Sequence, residues 1–256
     1  MKYLMKIAYL GTRYCGFQVQ PDQITIQGEL ERAANTIFGK NNVISAGCSR
    51  TDAGVHAKEY YVCIQSDGCP DIASENMTKA MNTFLPDDIS ALQSWKVKDE
   101  FRIKKAVVGK RYVYSINNAK TPDPFSFDRA YFYPREIDCD QMNRAASCFV
   151  GIHDFKSFMA SGSEIENTVR TISECSVSRE GGMVKIRIAA DGFLYNMVRI
   201  ISGTLLEVSE KKIQIEDIES ILGKGERKAA GRTLPGCGLC LDEVFLDKKY
   251  VEENLI

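Results

Sequence analysis

Histidine is scarce in this chain: only His56 and His153 occur among 256 residues, and they lie far apart. A hydrolase built on a histidine base beside a nucleophile is therefore a poor fit. No run of about 18 apolar residues is present and no signal-peptide pattern opens the chain, so a soluble, cytoplasmic protein without a membrane segment is expected. The nine cysteines show no disulfide-like rhythm. The one Cys-x-x-Cys, Cys237 to Cys240, has neither a second pair nor a histidine pair at zinc spacing, so no metal is expected. In a reducing compartment the cysteines read as small buried hydrophobes. Charge bias is missing too. A net charge of −1 weighs mildly against a nucleic-acid binder, because Lys and Arg on phosphates supply most non-specific affinity.

Apolar periodicity sets out an α+β chain long enough for two modest domains. Ile26, Leu30, Ala33, Ala34 and Ile37 fall on one helical face that Gly39 can stop. Val43 to Ala46 and Tyr60 to Ile64 read as strands. Met77, Ala80, Met81 and Phe84 make a second helical stripe before Pro86, and Ile89 to Val97 a further strand. The order β-α-β-β-α-β is of the ferredoxin-like kind. A second unit opens near Ala106, where Val108, Lys110, Tyr112, Tyr114 and Ile116 share one strand face. Asp138 with Gln141 resembles a capping box for a helix with Met142, Ala145, Ala146 and Phe149 inward. A turn is expected at His153, and a hairpin around Glu180-Gly181-Gly182. Leu194, Met197, Val198, Ile201, Leu205 and Val208 form the clearest helical stripe. The expected division is residues 1–105 and 106–256.

Local charge departs from the average. Seven Lys or Arg lie between Lys96 and Arg111 against Asp99 and Glu100, and Lys224, Arg227, Lys228 and Arg232 are opposed only by Glu226. Such clusters are usually solvated faces. Between the strands at Val43 to Ala46 and Tyr60 to Ile64 stands Arg50-Thr51-Asp52-Ala53-Gly54-Val55-His56-Ala57. Asp52 is a lone carboxylate on a loop that flanking strands can fix, and a cation beside it, such as Arg50, would keep it ionised. Gly54 can adopt positive φ, and Thr51 or Asp52 can bond the turn's own N–H groups. By itself the string also fits an Asx-turn carrying a solvated arginine.

That string resembles the signature of the TruA family of tRNA pseudouridine synthases. Further matches follow in the family's order along nearly the whole chain. They are Tyr9-Leu10-Gly11-Thr12-Arg13-Tyr14-Cys15-Gly16-Phe17-Gln18, Ile26 to Glu31, Leu85-Pro86-Asp87-Asp88-Ile89, Lys110-Arg111-Tyr112-Val113-Tyr114, Gly151 to Phe155, Asp191 to Arg199 and Gly238 to Leu241. Ser49, Phe17, Leu10, Cys237 and Cys240 depart from the usual pattern without touching the catalytic positions.

The resemblance implies two ferredoxin-like (RRM-like) units with mostly antiparallel sheets, joined around a central active-site cleft. It implies an isomerase that turns uridine into pseudouridine in the anticodon stem-loop of tRNA, at positions 38, 39 or 40. No cofactor is required, and the working form is a homodimer on tRNA. Asp52 would be the nucleophile. Arg199, which periodicity alone sets off the apolar stripe beside Tyr195, Ser202 and Leu206 as a solvated residue, would be its ion-pair partner. Tyr112, otherwise a core aromatic, would stack on the extruded base, with Tyr114 left to packing. Arg50, Lys110 and Arg111 would contact RNA. The rival from another class is a non-catalytic tRNA-binding chaperone on the same scaffold.

Overall fold

The computed structural model describes residues 2–39, 44–65, 70–162 and 165–256. The chain is mixed α+β and separates into two compact units, Met1–Val108 with Leu241–Ile256, and Gly109–Cys240. The sequence reading instead assigned everything after residue 105 to the second unit.

In the first unit, β1 (Lys2–Tyr9) buries Tyr3, Leu4, Met5 and Ile7, so both its faces are covered. That fits a strand with neighbours on both sides. Helix α1 (Ile26–Phe38) starts where the Thr25 hydroxyl accepts the Gly28 N–H at 3.2 Å, and it ends at Gly39 in the left-handed region, φ 61°. Its Ile26, Leu30, Ala33 and Ala34 are buried. Full burial of such a Leu or Ile contributes about 1.5–3 kcal/mol. Strands β2 (Ile44–Gly47) and β3 (His56–Gln65) flank the Asp52 loop as expected. Val43, placed in β2 by the sequence reading, lies outside the described residues.

Helix α2 (Ser74–Phe84) and strand β4 (Ile89–Val97) follow the expected bounds closely. Phe84 differs: it sits at the last turn of α2 and is 39% exposed rather than buried with Met77 and Met81. A short α3 (Ile103–Ala106) closes this stretch. β1 pairs antiparallel with both β3 and β4, and β2 pairs antiparallel with β3. The β1–β3 register shifts between Ile7 and Tyr9. Such an irregularity lets a strand bend, and it falls where the Asp52 loop enters β3.

In the second unit, β5 (Val107–Asn117) buries Tyr112, Tyr114 and Ile116 on one face, as the alternation predicts. Strand β6 (Tyr131–Phe132) pairs parallel with it. Helix α4 (Cys139–Ser147) is capped by Asp138, whose carboxylate accepts the Gln141 N–H at 2.8 Å. His153 lies in strand β7 (Gly151–Asp154), not in a turn, since residues 151–154 pair with β8 (Val169–Glu180). The β8–β9 hairpin (β9, Met183–Ala190) turns through Gly181 at φ 58° and Gly182. The strand order in this unit is β5-β9-β8-β7, antiparallel throughout.

Helix α5 (Met197–Ser209) is buried almost around its circumference. Ser202 and Leu206, which share Arg199's side of the helix, are fully buried as well. Strand β10 (Leu239–Leu246) returns to the first unit from Leu241 on, where Asp242 meets Lys58 at 2.8 Å and the Val244 N–H reaches Glu59.

Candidate active site

The Asp52 loop is held along its length. The Val55 N–H returns to the Asp52 carbonyl at 3.2 Å, closing a turn around Ala53 and Gly54, and Gly54 takes φ 75°. A β-carbon there would be strained, so glycine is needed. Thr51 is buried and its hydroxyl meets the Tyr9 phenol at 2.8 Å, while its carbonyl accepts the Phe17 N–H at 3.0 Å. The Tyr60 phenol donates to the Ser49 carbonyl, and its ring stacks on Phe17 at 4.5 Å. Phe17 is thus the floor of the loop, a role open to any planar ring of similar size.

His56 is buried and accepts the Gly11 N–H on Nδ1 at 3.0 Å. It is therefore a lock between two loops rather than an acid or base. At Gly11 a β-carbon would lie 2.0 Å from the Val55 carbonyl oxygen, so only glycine allows the chains this close. Asp52 is half-buried within this frame. Arg50 does not serve as its cation: it is exposed and makes no ion pair among the described residues.

In the second unit Tyr112 is buried on β5 and meets Phe193 edge to face, with centroids 5.1 Å apart at 87°. Tyr114 is core, as expected: it is fully buried, it donates to the Pro235 carbonyl at 2.8 Å, and burial pushes its hydroxyl well above the ordinary tyrosine range. Arg199 lies near the start of α5, half-buried. Its Nε donates to the Leu234 carbonyl at 2.7 Å and its Nη1 to Asn196 Oδ1 at 2.5 Å. Asn196 caps the helix in the left-handed conformation, φ 60°, which asparagine tolerates better than most side chains. The guanidinium is thereby fixed along two of its edges.

The basic residues divide into two kinds. Arg111 donates to Glu174 at 3.1 Å across the small Ala189, which pairs with both residues in the sheet. Arg232 is taken up by Glu207 and Glu210, and Arg227 by the carbonyls of Ala230 and Gly231 and the Thr233 hydroxyl. Burial lowers the Arg227 pKa. These three arginines brace the fold. Arg50, Lys104, Lys105, Lys224 and Lys228 remain exposed, and Lys110 is half-buried.

Among the described cysteines only Cys48, Cys63 and Cys175 are buried. Burial pushes the Cys63 thiol up to about 11, so it stays protonated. No group of three or more His, Cys, Asp or Glu that could hold a metal occurs among the described residues. No helix there is long and apolar enough to cross a membrane.

The residues that frame Asp52 escaped the sequence reading, although several stand in quoted motifs. Tyr9, Tyr14, Tyr60 and Asp88 act through hydroxyl and carboxylate contacts to residues distant in the chain. Such contacts leave no periodic trace. Phe193, Asn196 and Leu234 do the same for Tyr112 and Arg199.

Residues 145–247 match the model of a tRNA pseudouridine synthase family. The chain is 44% identical over 240 residues to tRNA pseudouridine synthase A of Acetivibrio thermocellus, covering 93% of this chain and 97% of that one. It is 40% identical over 241 residues to tRNA pseudouridine synthase A 2 of Clostridium perfringens, covering 94% and 98%. Against the Bacillus pumilus tRNA pseudouridine synthase A the identity is 39% over 248 residues, covering 96% and 100%. A chain in a solved Cbf5-Nop10-Gar1 complex aligns over 94% of this chain and 59% of its own at 13% identity, with a TM-score of 0.37, too low to bear on the fold. With near-full-length identity at this level, the chain belongs to the tRNA pseudouridine synthase A (TruA) family of isomerases.

Proposed function

We propose that the protein isomerises uridine to pseudouridine in tRNA, at positions 38, 39 or 40 of the anticodon stem-loop, with Asp52 as the essential carboxylate. The observation that carries this reading is identity of 40–44% to enzymes of that name along almost their whole length. A loop frame that fixes the backbone on either side of Asp52 supports the role of that residue.

The reaction breaks the bond from C1′ to N1 and joins C1′ to C5 of the same uracil. It needs no redox partner and no group donor. A carboxylate serves by attacking C1′ or by helping uracil leave with loss of a sugar proton, as carboxylates do at glycosidic bonds. Either route requires Asp52 ionised and aimed, and the freed uracil kept from water while it turns. Arg199 is proposed as the ion-pair partner that keeps it so, and its fixed planar fork suits that task. Tyr112 is proposed to stack on the extruded base, with Phe193 setting its ring. Arg50 and Lys110 are proposed as RNA contacts; Arg111 joins them only by exchanging Glu174 for a phosphate.

We further read both units as ferredoxin-like, the first supported by its strand order β4-β1-β3-β2. The protein is proposed to act in the cytoplasm as a homodimer on tRNA. Sedimentation of the purified chain checks the dimer.

The decisive experiment is tritium release from tRNA labelled at uracil C5, comparing the native protein with Asp52→Ala. Release that depends on Asp52 supports the reading. Tight tRNA binding by both proteins with no release by either would favour a tRNA chaperone.

A further inference from the structure

Asp88 has no part in the chemistry assigned so far. It follows Pro86 in the turn before β4 and lies 36 residues beyond Asp52 in the chain. Its backbone carbonyl accepts the Leu10 N–H at 2.9 Å. One carboxylate oxygen accepts Arg13 Nε at 2.7 Å, and the other accepts the Tyr14 phenol at 2.5 Å. A single residue thus grips the segment from Leu10 to Tyr14 at three points.

That segment is in turn the wall of the Asp52 loop. Tyr14 is buried, and its carbonyl accepts the Gly54 N–H at 3.3 Å inside the turn that Asp52 opens. Gly11 lies against the Val55 carbonyl and donates to His56. Tyr14 therefore has one end on the Asp88 carboxylate and the other on the turn. The phenol–carboxylate bond is in the short range of hydrogen bonds to an ionised acceptor, which are about twice as strong as neutral ones. Exposed Arg13 adds little of its own, since its side chain is two-thirds in solvent. It does keep the carboxylate charged: burial alone would raise the Asp88 pKa, yet the bonds from Arg13 and Tyr14 leave it lowered.

We infer that Asp88, acting through Tyr14, is a positioning residue that sets the Asp52 turn for catalysis. The inference rests on the reading of Asp52 as the essential carboxylate. Small misplacements of a reacting group are costly, reaching about a hundredfold for roughly 1 Å. The contact of Tyr14 with the turn is made through its backbone, so removing the phenol hydroxyl should loosen the turn without emptying the pocket that the ring fills.

The test is C5 tritium release from tRNA by the full chain, with kcat and KM separated, for Asp52→Ala, Tyr14→Phe, Asp88→Ala, Asp88→Asn and the double variant Tyr14→Phe with Asp88→Ala. Loss of all turnover is expected for Asp52→Ala. For Tyr14→Phe and Asp88→Ala, kcat should fall about tenfold with KM for tRNA within about twofold. The double variant should lose no more than the worse single one, because both act along one path. Asp88→Asn should recover part of the loss, since its amide oxygen still accepts from Tyr14. Native kcat in Tyr14→Phe, with or without a lower melting temperature, overturns the inference while leaving Asp52 in place if Asp52→Ala is dead. An active Asp52→Ala overturns both.

Discussion

Arg199 and Leu234 are joined twice: Arg199 Nε donates to the Leu234 carbonyl at 2.7 Å, and the Leu234 N–H donates back to the Arg199 carbonyl at 3.3 Å. The segment before β10 therefore sets both the backbone and the guanidinium at the start of α5. A planar fork can serve the Leu234 carbonyl and Asn196 Oδ1 along separate edges at once and so hold one orientation. A lysine ammonium is a point charge and cannot. Arg199→Lys should keep its fold and lose turnover on the order of a hundredfold in the tritium assay. Native kcat in that variant would reduce Arg199 to packing.

Three residues further along the same helix, the structure predicts a gain. Ser202 Oγ is fully buried and has no hydrogen-bond partner among the described residues. A buried hydroxyl left unpaired is destabilising, and alanine removes it with little change of volume. Ser202→Ala should raise stability by about 1 kcal/mol, read as a higher urea midpoint at unchanged slope. A lower midpoint would mean that the hydroxyl is satisfied in solution.

Gly203 is the opposite case. An added β-carbon would lie 1.8 Å from the Arg232 carbonyl oxygen, with backbone on both sides of the contact. Neither side is a flexible side-chain end, so the helix or residues 231–232 must move. Gly203→Ala should cost stability at the upper end of about 1–3 kcal/mol for overpacking. It should also lower kcat, because a shift at Arg232 carries Leu234 and hence Arg199. Thermal melts and turnover measured on one preparation check both parts.

Much of this fold was legible from pattern alone. The stripe from Ile26 and Gly39 after Phe38 bounded α1, because stripes and stops are local signals. Asp138 marked α4 in the same way. Depth was not legible. The 3.6-residue period placed Phe84 on the right face of α2, but a residue at the last turn lies beyond the layer that covers Met77 and Met81. The same period set Ser202 and Leu206 away from the main stripe of α5, yet α5 is enclosed on nearly every side. Pairing was not legible either: His153 sits in a strand because β8 lies beside it, and nothing within residues 151–154 says so. Among the chemical residues, Asp52, Arg199 and Tyr112 were named by family resemblance. Asp88 stood in a quoted motif with no role, since its partners Arg13 and Tyr14 are some 74 residues away.

A pH effect on stability follows from Glu210 at the end of α5. It accepts from Tyr133 and from Arg232, each at 2.6 Å, and pairs with Lys212. The bond from Arg232 comes first in holding its carboxyl near 2, against burial, which would raise it from the ordinary 4.5. The folded carboxyl binds a proton less readily than the unfolded one, so its ion pairs stabilise fully above about pH 4.5 and are lost as pH falls toward 2. Glu210→Gln should therefore be less stable than the native protein at neutral pH, and the gap should close across that window. Urea midpoints at a series of pH values read this directly; a gap that stays constant would assign the loss to packing.

Arg50 has nothing to lose in the free protein, being exposed and without an ion pair among the described residues. Arg50→Ala should accordingly leave the melting temperature within about 2 °C, as for most surface changes away from special features. Its proposed task arises only on RNA, where an extruded base leaves a gap in the stack and a flanking phosphate to hold. Stem uridines must be unpaired before reaction, loop uridines need not be. The loss of turnover should then be about tenfold on a uridine inside the stem and distinctly smaller on the same stem-loop with that pair already broken by a mismatch. Equal losses on both substrates would make Arg50 a plain phosphate contact, and no loss on either would remove it from the site.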